Sequence, residues 1–339
     1  LSESLAEISD DGLFCRPGGF HIDPWQPVDR AVVTHAHSDH ARPGSHSYLA
    51  AVASEHLLRT RLGSINLETV PYGAVIEHNG VRVSLHPAGH VLGSAQVRLE
   101  YRGEVWVVSG DYKLEPDPTC AAFEPVGCHT FITESTFGLP IYRWDPAAAL
   151  FAQINAWWRA NREAGKASII YAYSLGKAQR VMAGVDSSIG PIFTHGATER
   201  VTRAYRESGV ALPPTEPVAD AVRGKTWAGA LVIAPPSAAG STWVQKFEPA
   251  ATAVASGWMR VRGTRRRRAV DRGFVLSDHA DWPGLLGAIG ATGAERVLAT
   301  HGSAAVLARW LRDQGKDAGV LVTRFGDDDE TGAGEDVSP

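Results

Sequence analysis

Three cysteines in 339 residues, Cys15, Cys120 and Cys128, are too few and too irregularly spaced for a disulfide framework or a thiolate zinc site. That scarcity fits a reducing compartment, and the cytoplasm is the expected one. Long apolar runs are also missing, so no stretch reaches the length of a membrane span and no membrane role is expected. The first twelve residues carry Glu3, Glu7, Asp10 and Asp11 where a secretory leader would have a basic segment and an apolar core. A net positive charge is lacking too: the formal charge is -4, which does not mark the chain as a uniformly basic nucleic-acid binder. The average conceals two opposed patches. Arg260, Arg262, Arg265, Arg266, Arg267 and Arg268 crowd into nine residues, and Asp327, Asp328, Asp329, Glu330, Glu335 and Asp336 gather at the end. What is plentiful is apolar: 44% hydrophobic residues can bury a substantial core, in one large domain or two intertwined ones.

The densest chemistry is Thr34-His35-Ala36-His37-Ser38-Asp39-His40, four potential metal ligands in six residues directly after the apolar run Ala31-Val32-Val33. The run reads as a buried strand, and alternation at its end aims His35 and His37 the same way. Imidazole and carboxylate donors suit zinc or a similar first-row metal, and a cluster this dense can begin two adjacent sites. His90, in Pro87-Ala88-Gly89-His90, and Asp111, in Ser109-Gly110-Asp111, share that context: each follows an apolar strand, where glycine lets backbones approach closely. A single aspartate between two metals can bridge them, and Asp111 is assigned that place.

Along the chain, residues 12 to 108 read as short strands punctuated by Gly and Asn-Gly turns, with one helix from Ser54 to Leu62. Thr130 to Glu134 is a further strand, ending in an acid. From Asp145 the texture changes to strand alternating with helix, which implies a parallel sheet: a helix through Trp157 and Trp158, a strand Ser168–Ala172, helices Lys177–Ala183 and Ala197–Glu207, and a buried strand Ala230–Ala234. After the arginine cluster the first texture returns, with strands running into Ser277-Asp278-His279-Ala280-Asp281 and Thr300-His301-Gly302. Ligand-bearing strands on both sides make the middle segment an insertion. The expected division is 1–144 and 256–325 for one interrupted domain, 145–255 for the inserted one, and 326–339 for a disordered acidic tail.

Together, His35-x-His37-x-Asp39-His40, His90, Asp111 and the flanking Asp23 resemble the metallo-β-lactamase superfamily. Glu134 in Ile-Thr-Glu-Ser-Thr-Phe-Gly, His279 in Ser-Asp-His-Ala-Asp and His301 in Thr-His-Gly resemble the additional motifs of its β-CASP nuclease branch, most closely bacterial ligase-associated DNA exonucleases of the Artemis and Apollo type. The resemblance spans roughly residues 12 to 320. It implies an α/β fold, an αββα metallo-β-lactamase sandwich with an inserted α/β β-CASP domain. It also implies two divalent ions, zinc foremost, with manganese or magnesium as alternatives. His35, His37 and His90 would hold one ion, Asp39, His40 and His301 the other, and Asp111 both, with Asp23 orienting the ligand loop. Asp39, Asp111, Glu134 and His279 would carry the chemistry, His279 as general acid and Glu134 as the carboxylate that positions or charges it. DNA is the expected substrate, with a DNA ligase and a helicase as working partners. RNA stays open, because His301 matches RNA-processing members where animal DNA-cutting ones usually carry an apolar residue.

Phosphodiester hydrolysis needs an activated water, neutralised phosphate charge and a proton for the leaving oxygen. Paired divalent ions serve the first two and a carboxylate-held histidine the third. For substrate grip, Ser174 and Lys177 lie in a Ser-Leu-Gly-Lys turn between strand and helix that is suited to a phosphate, and Arg265, Arg266, Arg267 and Arg268 can line a phosphate track. An ordinary strand-to-helix connection and a solvated charged loop are the competing readings of those two features. Trp243 and Trp258 fit buried packing better than base stacking. A di-iron oxidoreductase would want a carboxylate near His37 and a flavin domain. A metal-free scaffold subunit would have lost ligands, and none is missing here.

Overall fold

The computed structural model describes residues 4–219, 226–261 and 270–323. Arg265 to Arg268 and the acidic tail lie outside the described residues. Two compact units divide the chain: one takes the residues up to Arg143 together with those from His279 onward, and the other takes Trp144–Asp278. No helix among the described residues is long and apolar enough to cross a membrane.

The first unit begins with strands β1 (Glu7–Ser9), β2 (Gly12–Cys15), β3 (Phe20–Ile22), β4 (Arg30–Val32) and β5 (Ser47–Ala51), then helix α1 (Glu55–Leu62) and β6 (Leu67–Val70). These strands lie side by side in sequence order. β1 to β3 pair antiparallel and β3 to β6 pair parallel. A second sheet follows from β7 (Val75–His78), β8 (Val81–Pro87), β9 (Ala95–Tyr101), β10 (Glu104–Val108) and β11 (Thr130–Glu134). The hairpins read from the glycine spacing are there, since β7 to β10 pair antiparallel. Every residue of β11 is buried, as expected of a strand covered on both faces.

The second unit contains α2 (Ala147–Glu163), β12 (Ala167–Tyr171), α3 (Lys177–Gly184), β13 (Ile192–Thr194), α4 (Gly196–Glu207), β14 (Glu216–Pro217), β15 (Leu231–Ala234), β16 (Ala250–Ala255) and β17 (Arg272–Phe274). All six strands pair parallel, in the order β14-β13-β15-β12-β16-β17. Ile170 and Ile233 face one core with Ile154, Trp158 and Val181, while Ile169 and Val232 face another with Phe193 and Phe247. Trp243 and Trp258 pack against the second of these cores. The inserted unit therefore runs further than residue 255. The strand read from sequence over 273–276 as the return of the first domain lies at Arg272–Phe274 and pairs with β16, and the junction falls at Asp278–His279.

The chain then completes the first unit with α5 (Trp282–Thr292), β18 (Arg296–Thr300), α6 (Ala304–Asp313) and β19 (Asp317–Val320). β18 pairs parallel with β11, and β19 with β18. Leu13, Ile22 and Val32 of the first sheet share a core with Val83, Leu85, Leu99 and Ile132 of the second, which makes a sandwich. Leu285, Ile289, Leu307 and Leu311 from α5 and α6 cover the outer face of the second sheet against Val107, Phe131 and Val297.

Candidate metal centre

Within the first unit, β4 ends at Val32 and the chain turns through Thr34 to His40. Asp23, just past β3, fixes that turn. One of its carboxylate oxygens accepts the Thr34 backbone N–H (2.8 Å), and the other accepts the Thr34 hydroxyl (2.6 Å) and His40 Nδ1 (2.7 Å). Asp23 holds a left-handed φ of 46°, an uncommon conformation for a residue with a side chain. The Thr34 hydroxyl, having donated to Asp23, is free to accept from His35 Nδ1 at 3.1 Å. Both bonds place a proton on Nδ1 and turn Nε2 of His35 and of His40 away from those partners.

Nε2 of His35 meets three other donors. Donor atoms of His35, His37, His90 and Asp111 all lie within 4.8 Å of one another. His37 Nδ1 is 3.1 Å from His35 Nε2 and 3.1 Å from His90 Nε2, and Asp111 Oδ2 is 3.4 Å from His35 Nε2 and 3.7 Å from His90 Nε2. A tetrahedral cation with bonds of about 2.0–2.1 Å sets its donors roughly 3.3 Å apart. The separations therefore match the edges of a coordination shell, and the donor set fits a divalent ion. His90 is steadied by Ser94, whose hydroxyl accepts the His90 N–H at 3.1 Å. Close approach also depends on glycine here. Gly89 and Gly110 have φ of 75° and 55°, and a Cβ would stand 2.3 Å from the Lys113 carbonyl oxygen and 2.7 Å from Thr34 respectively.

The other side of Asp111 is looser. His40 Nε2 is 3.5 Å from Asp111 Oδ2 and 3.3 Å from Asp39 Oδ2, and the His301 ring lies 5.8 Å from the His40 ring. The backbone at Thr300 and His301 is pinned by Ser135, whose hydroxyl donates to both carbonyls, and His301 has φ 57°. Asp111 belongs to a second set as well: its donor atom, one of Glu134 and one of His279 lie within 4.8 Å of one another. His279 Nδ1 is 2.9 Å from Glu134 Oε2, and the Tyr112 N–H donates to Glu134 Oε1 at 2.7 Å.

Charge follows this layout. Burial, reinforced by the neighbouring His40, holds the pKa of His35 well below the ordinary histidine value, so its imidazole is neutral and able to bind a cation. Burial pulls His40 down as well, but Asp39, Asp111 and Asp23 outweigh it and raise its pKa well above the ordinary value. Burial opposes ionisation of Asp111 and Asp39, yet His40 overcomes it and holds both carboxyls below their usual range. Three carboxylates around one imidazole form a place where positive charge is stabilised, whether a proton or a metal ion carries it.

Of the donors proposed from the sequence in this unit, His35, His37, His40, His90, Glu134 and His279 lie near Asp111, Asp39 lies beside His40, and His301 stands ring to ring 5.8 Å from His40, with Asp23 behind the loop. In the second unit, Ser174 is buried with its hydroxyl 3.4 Å from that of Thr198. Lys177 is buried too, and its ammonium lies 3.5 Å from Asp278 Oδ2 and 4.4 Å from the centre of the Tyr173 ring. Its charge already has a carboxylate partner, which disfavours a role in gripping phosphate. Sequence reasoning passed over Thr34, Ser94 and Ser135. Each adjoins or shares a segment with a ligand, and a hydroxyl beside a ligand is the signal that was available.

No family model matches the chain. It is similar to a probable DNA ligase of Opitutus terrae, at 33% identity over 332 residues, which is 97% of this chain and 32% of that protein. It is also similar to the endoribonuclease YSH1 of Saccharomyces cerevisiae and to cleavage and polyadenylation specificity factor subunit 3 of Dictyostelium discoideum. Each is 30% identical over 122 residues, 35% of this chain and 15% and 16% of those proteins. The chain spans about a third of the length of the first relative and far less of the others. A crystal structure of a protein of unknown function from Enterococcus faecalis V583 shares the fold, with a TM-score of 0.60 and 12% identity over 87% of this chain and 79% of that one. The mixed α/β fold and these relatives support a likeness to the metallo-β-lactamase/β-CASP family.

Proposed function

We propose that this chain is a metal-dependent nuclease that hydrolyses DNA phosphodiester bonds, acting as an exonuclease in DNA repair. The observation that carries the reading is the double membership of Asp111, which shares one donor set with three histidines and another with Glu134 and His279. In this reading His35, His37 and His90 hold one divalent ion, Asp39, His40 and His301 hold a second, and Asp111 serves both. Zinc suits the imidazole-rich set best, with manganese or magnesium as alternatives. Bound there, such ions would lower the pKa of the attacking water and neutralise charge on the phosphate.

The chain's own residues do the rest. The Tyr112 N–H fixes Glu134, and Glu134 accepts a hydrogen bond from Nδ1–H of His279. That leaves Nε2 of an imidazolium to protonate the departing oxygen, and Glu134 keeps the ring charged until the transfer. Asp23 fixes the tautomer of His40 so that its Nε2 faces Asp39 and Asp111.

DNA as substrate is supported by the near-full-length likeness to a protein named a probable DNA ligase, and a ligase and a helicase are the proposed working partners. An RNA-processing role has its own support in His301 beside His40 and in the likeness to YSH1. Matched DNA and RNA oligonucleotides labelled at either end, digested with zinc, manganese or magnesium in turn, separate the two. Stepwise shortening of DNA from one end is expected. Degradation of RNA with DNA untouched would sink the DNA reading, and no cleavage of either would sink the nuclease reading.

A further inference from the structure

The second unit buries more charge than its packing requires. Lys177 and Arg180, on the first turn of α3, are 5% and 4% exposed, and both point at Asp278, which is 3% exposed. The Lys177 ammonium lies 3.5 Å from Asp278 Oδ2 and the Arg180 guanidinium 3.7 Å from Asp278 Oδ1. The same guanidinium nitrogen donates to the carbonyl of Ser277. The turn that presents them is itself braced. Gln179 accepts the Gly176 N–H at 2.9 Å and donates to the Ser174 carbonyl and the Thr202 hydroxyl, each at 3.0 Å. Two cations and a carboxylate are costly to desolvate, and apolar side chains of similar volume would pack with less penalty. What ionic contacts from two directions add is orientation: the Ser277–Asp278 segment is held in one geometry.

Asp278 is the residue bonded to His279. We propose that Arg180 and Lys177 are positioning residues for His279, acting through Asp278 to fix the backbone from which the proton donor projects. The inference rests on the nuclease reading, in which His279 protonates the leaving oxygen. A donor displaced by about 1 Å loses on the order of a hundredfold in rate, so a clamp on the adjoining residue is felt directly in the chemistry. It also accounts for the partner that Lys177 has in place of a phosphate.

The test compares a plain oligonucleotide with a p-nitrophenyl phosphodiester, whose leaving group departs without a proton. Arg180→Gln is the informative variant: it keeps the Lys177 ammonium beside Asp278, and metal content and thermal melting verify that folding is retained. Expected is a kcat on the oligonucleotide lower by at least about tenfold with KM nearly unchanged, turnover of the p-nitrophenyl ester close to wild type, and partial recovery in Arg180→Lys. Asp278→Asn should give the same split. Equal losses on both substrates would mean general structural damage and would overturn the proposal, as would an unaffected oligonucleotide rate. His279→Ala separates the two levels. If it cleaves the oligonucleotide at the wild-type rate, or if the wild type cleaves nothing, the underlying reading and the inference fail together. If His279→Ala is impaired and Arg180→Gln is not, the inference alone fails.

Discussion

The two sides of Asp111 are built differently. On one side His35, His37 and His90 close around it with donor atoms within 4.8 Å of one another, and His35 and His90 are fully buried. On the other, the Asp39 side chain is 41% exposed, and His301, ring to ring, stands 5.8 Å from His40. A largely buried set that includes the neutral imidazole of His35 is prepared for a cation before one arrives. A set reached by solvent and joined from a distant strand has further to move. The difference teaches that two adjacent positions sharing a carboxylate need not bind with equal strength: the three-histidine position should fill first and empty last.

Asp111→Asn breaks the comparison at its hinge, because it removes the charge both sides share. Cleavage should fall by at least ~10³-fold and bound metal should drop at both positions, while the unit stays folded. Nuclease assay with elemental analysis checks this; full metal content and undiminished activity would refute a shared aspartate. Glu134→Gln spares Asp111, the three histidines on one side of it and Asp39, His40 and His301 on the other, and disturbs the proton donor. Its expected loss is about 10²–10³-fold in kcat at unchanged metal content. His37→Ala and His301→Ala sharpen the asymmetry. Titrated with zinc, His301→Ala should keep the tight site and lose the weak one, whereas His37→Ala should lose the tight one. The reverse order would overturn the ranking. Asp23→Asn acts one step back, through His40 and Thr34, and should weaken the second position by roughly 10–100-fold.

Much of this centre was legible because its ligands sit where strands end, and strand ends can be read from apolar runs and glycines. His90 and Asp111 pair with His35 on sequence grounds, since all three follow apolar runs. The parallel unit was legible in the same way, from apolar strands alternating with amphipathic helices such as α2. What escaped was set by non-local pairing. Arg272–Phe274 has no feature that distinguishes a neighbour of β16 from a neighbour of β18, so the second junction was placed too early, at 255, when it lies at Asp278. β5, Ser47–Ala51, has little apolar alternation of its own and is a strand because β4 and β6 pair with it on either side. Lys177 was read by its place in a strand-to-helix turn, while its partner lies a hundred residues further on. A buried counterion at that range leaves no local trace in sequence.

The smallest effect expected is on stability, and it distinguishes the protein stripped of metal from the loaded one. His40, with its raised pKa, contributes stability fully present below the unfolded histidine value of about 6.5 and lost as pH rises through the folded value. His35, with its lowered pKa, works in the opposite sense: the unfolded chain takes up the proton that the folded site refuses, so stability falls as pH drops below about 6.5. Asp111 and Asp39, held low, add a further loss once pH falls below about 4. The stripped protein should therefore melt highest near pH ~6.5 and lower on either side. In the loaded protein the cation takes the place of the His40 proton, and the alkaline decline should vanish. A hundredfold excess of metal over its dissociation constant adds about 2.7 kcal/mol, or roughly 5–10 °C in melting temperature. Melting curves from about pH 5 to about pH 9, with and without chelator, carry the test. An alkaline decline of equal size in both states would mean that His40 is not where the second cation binds.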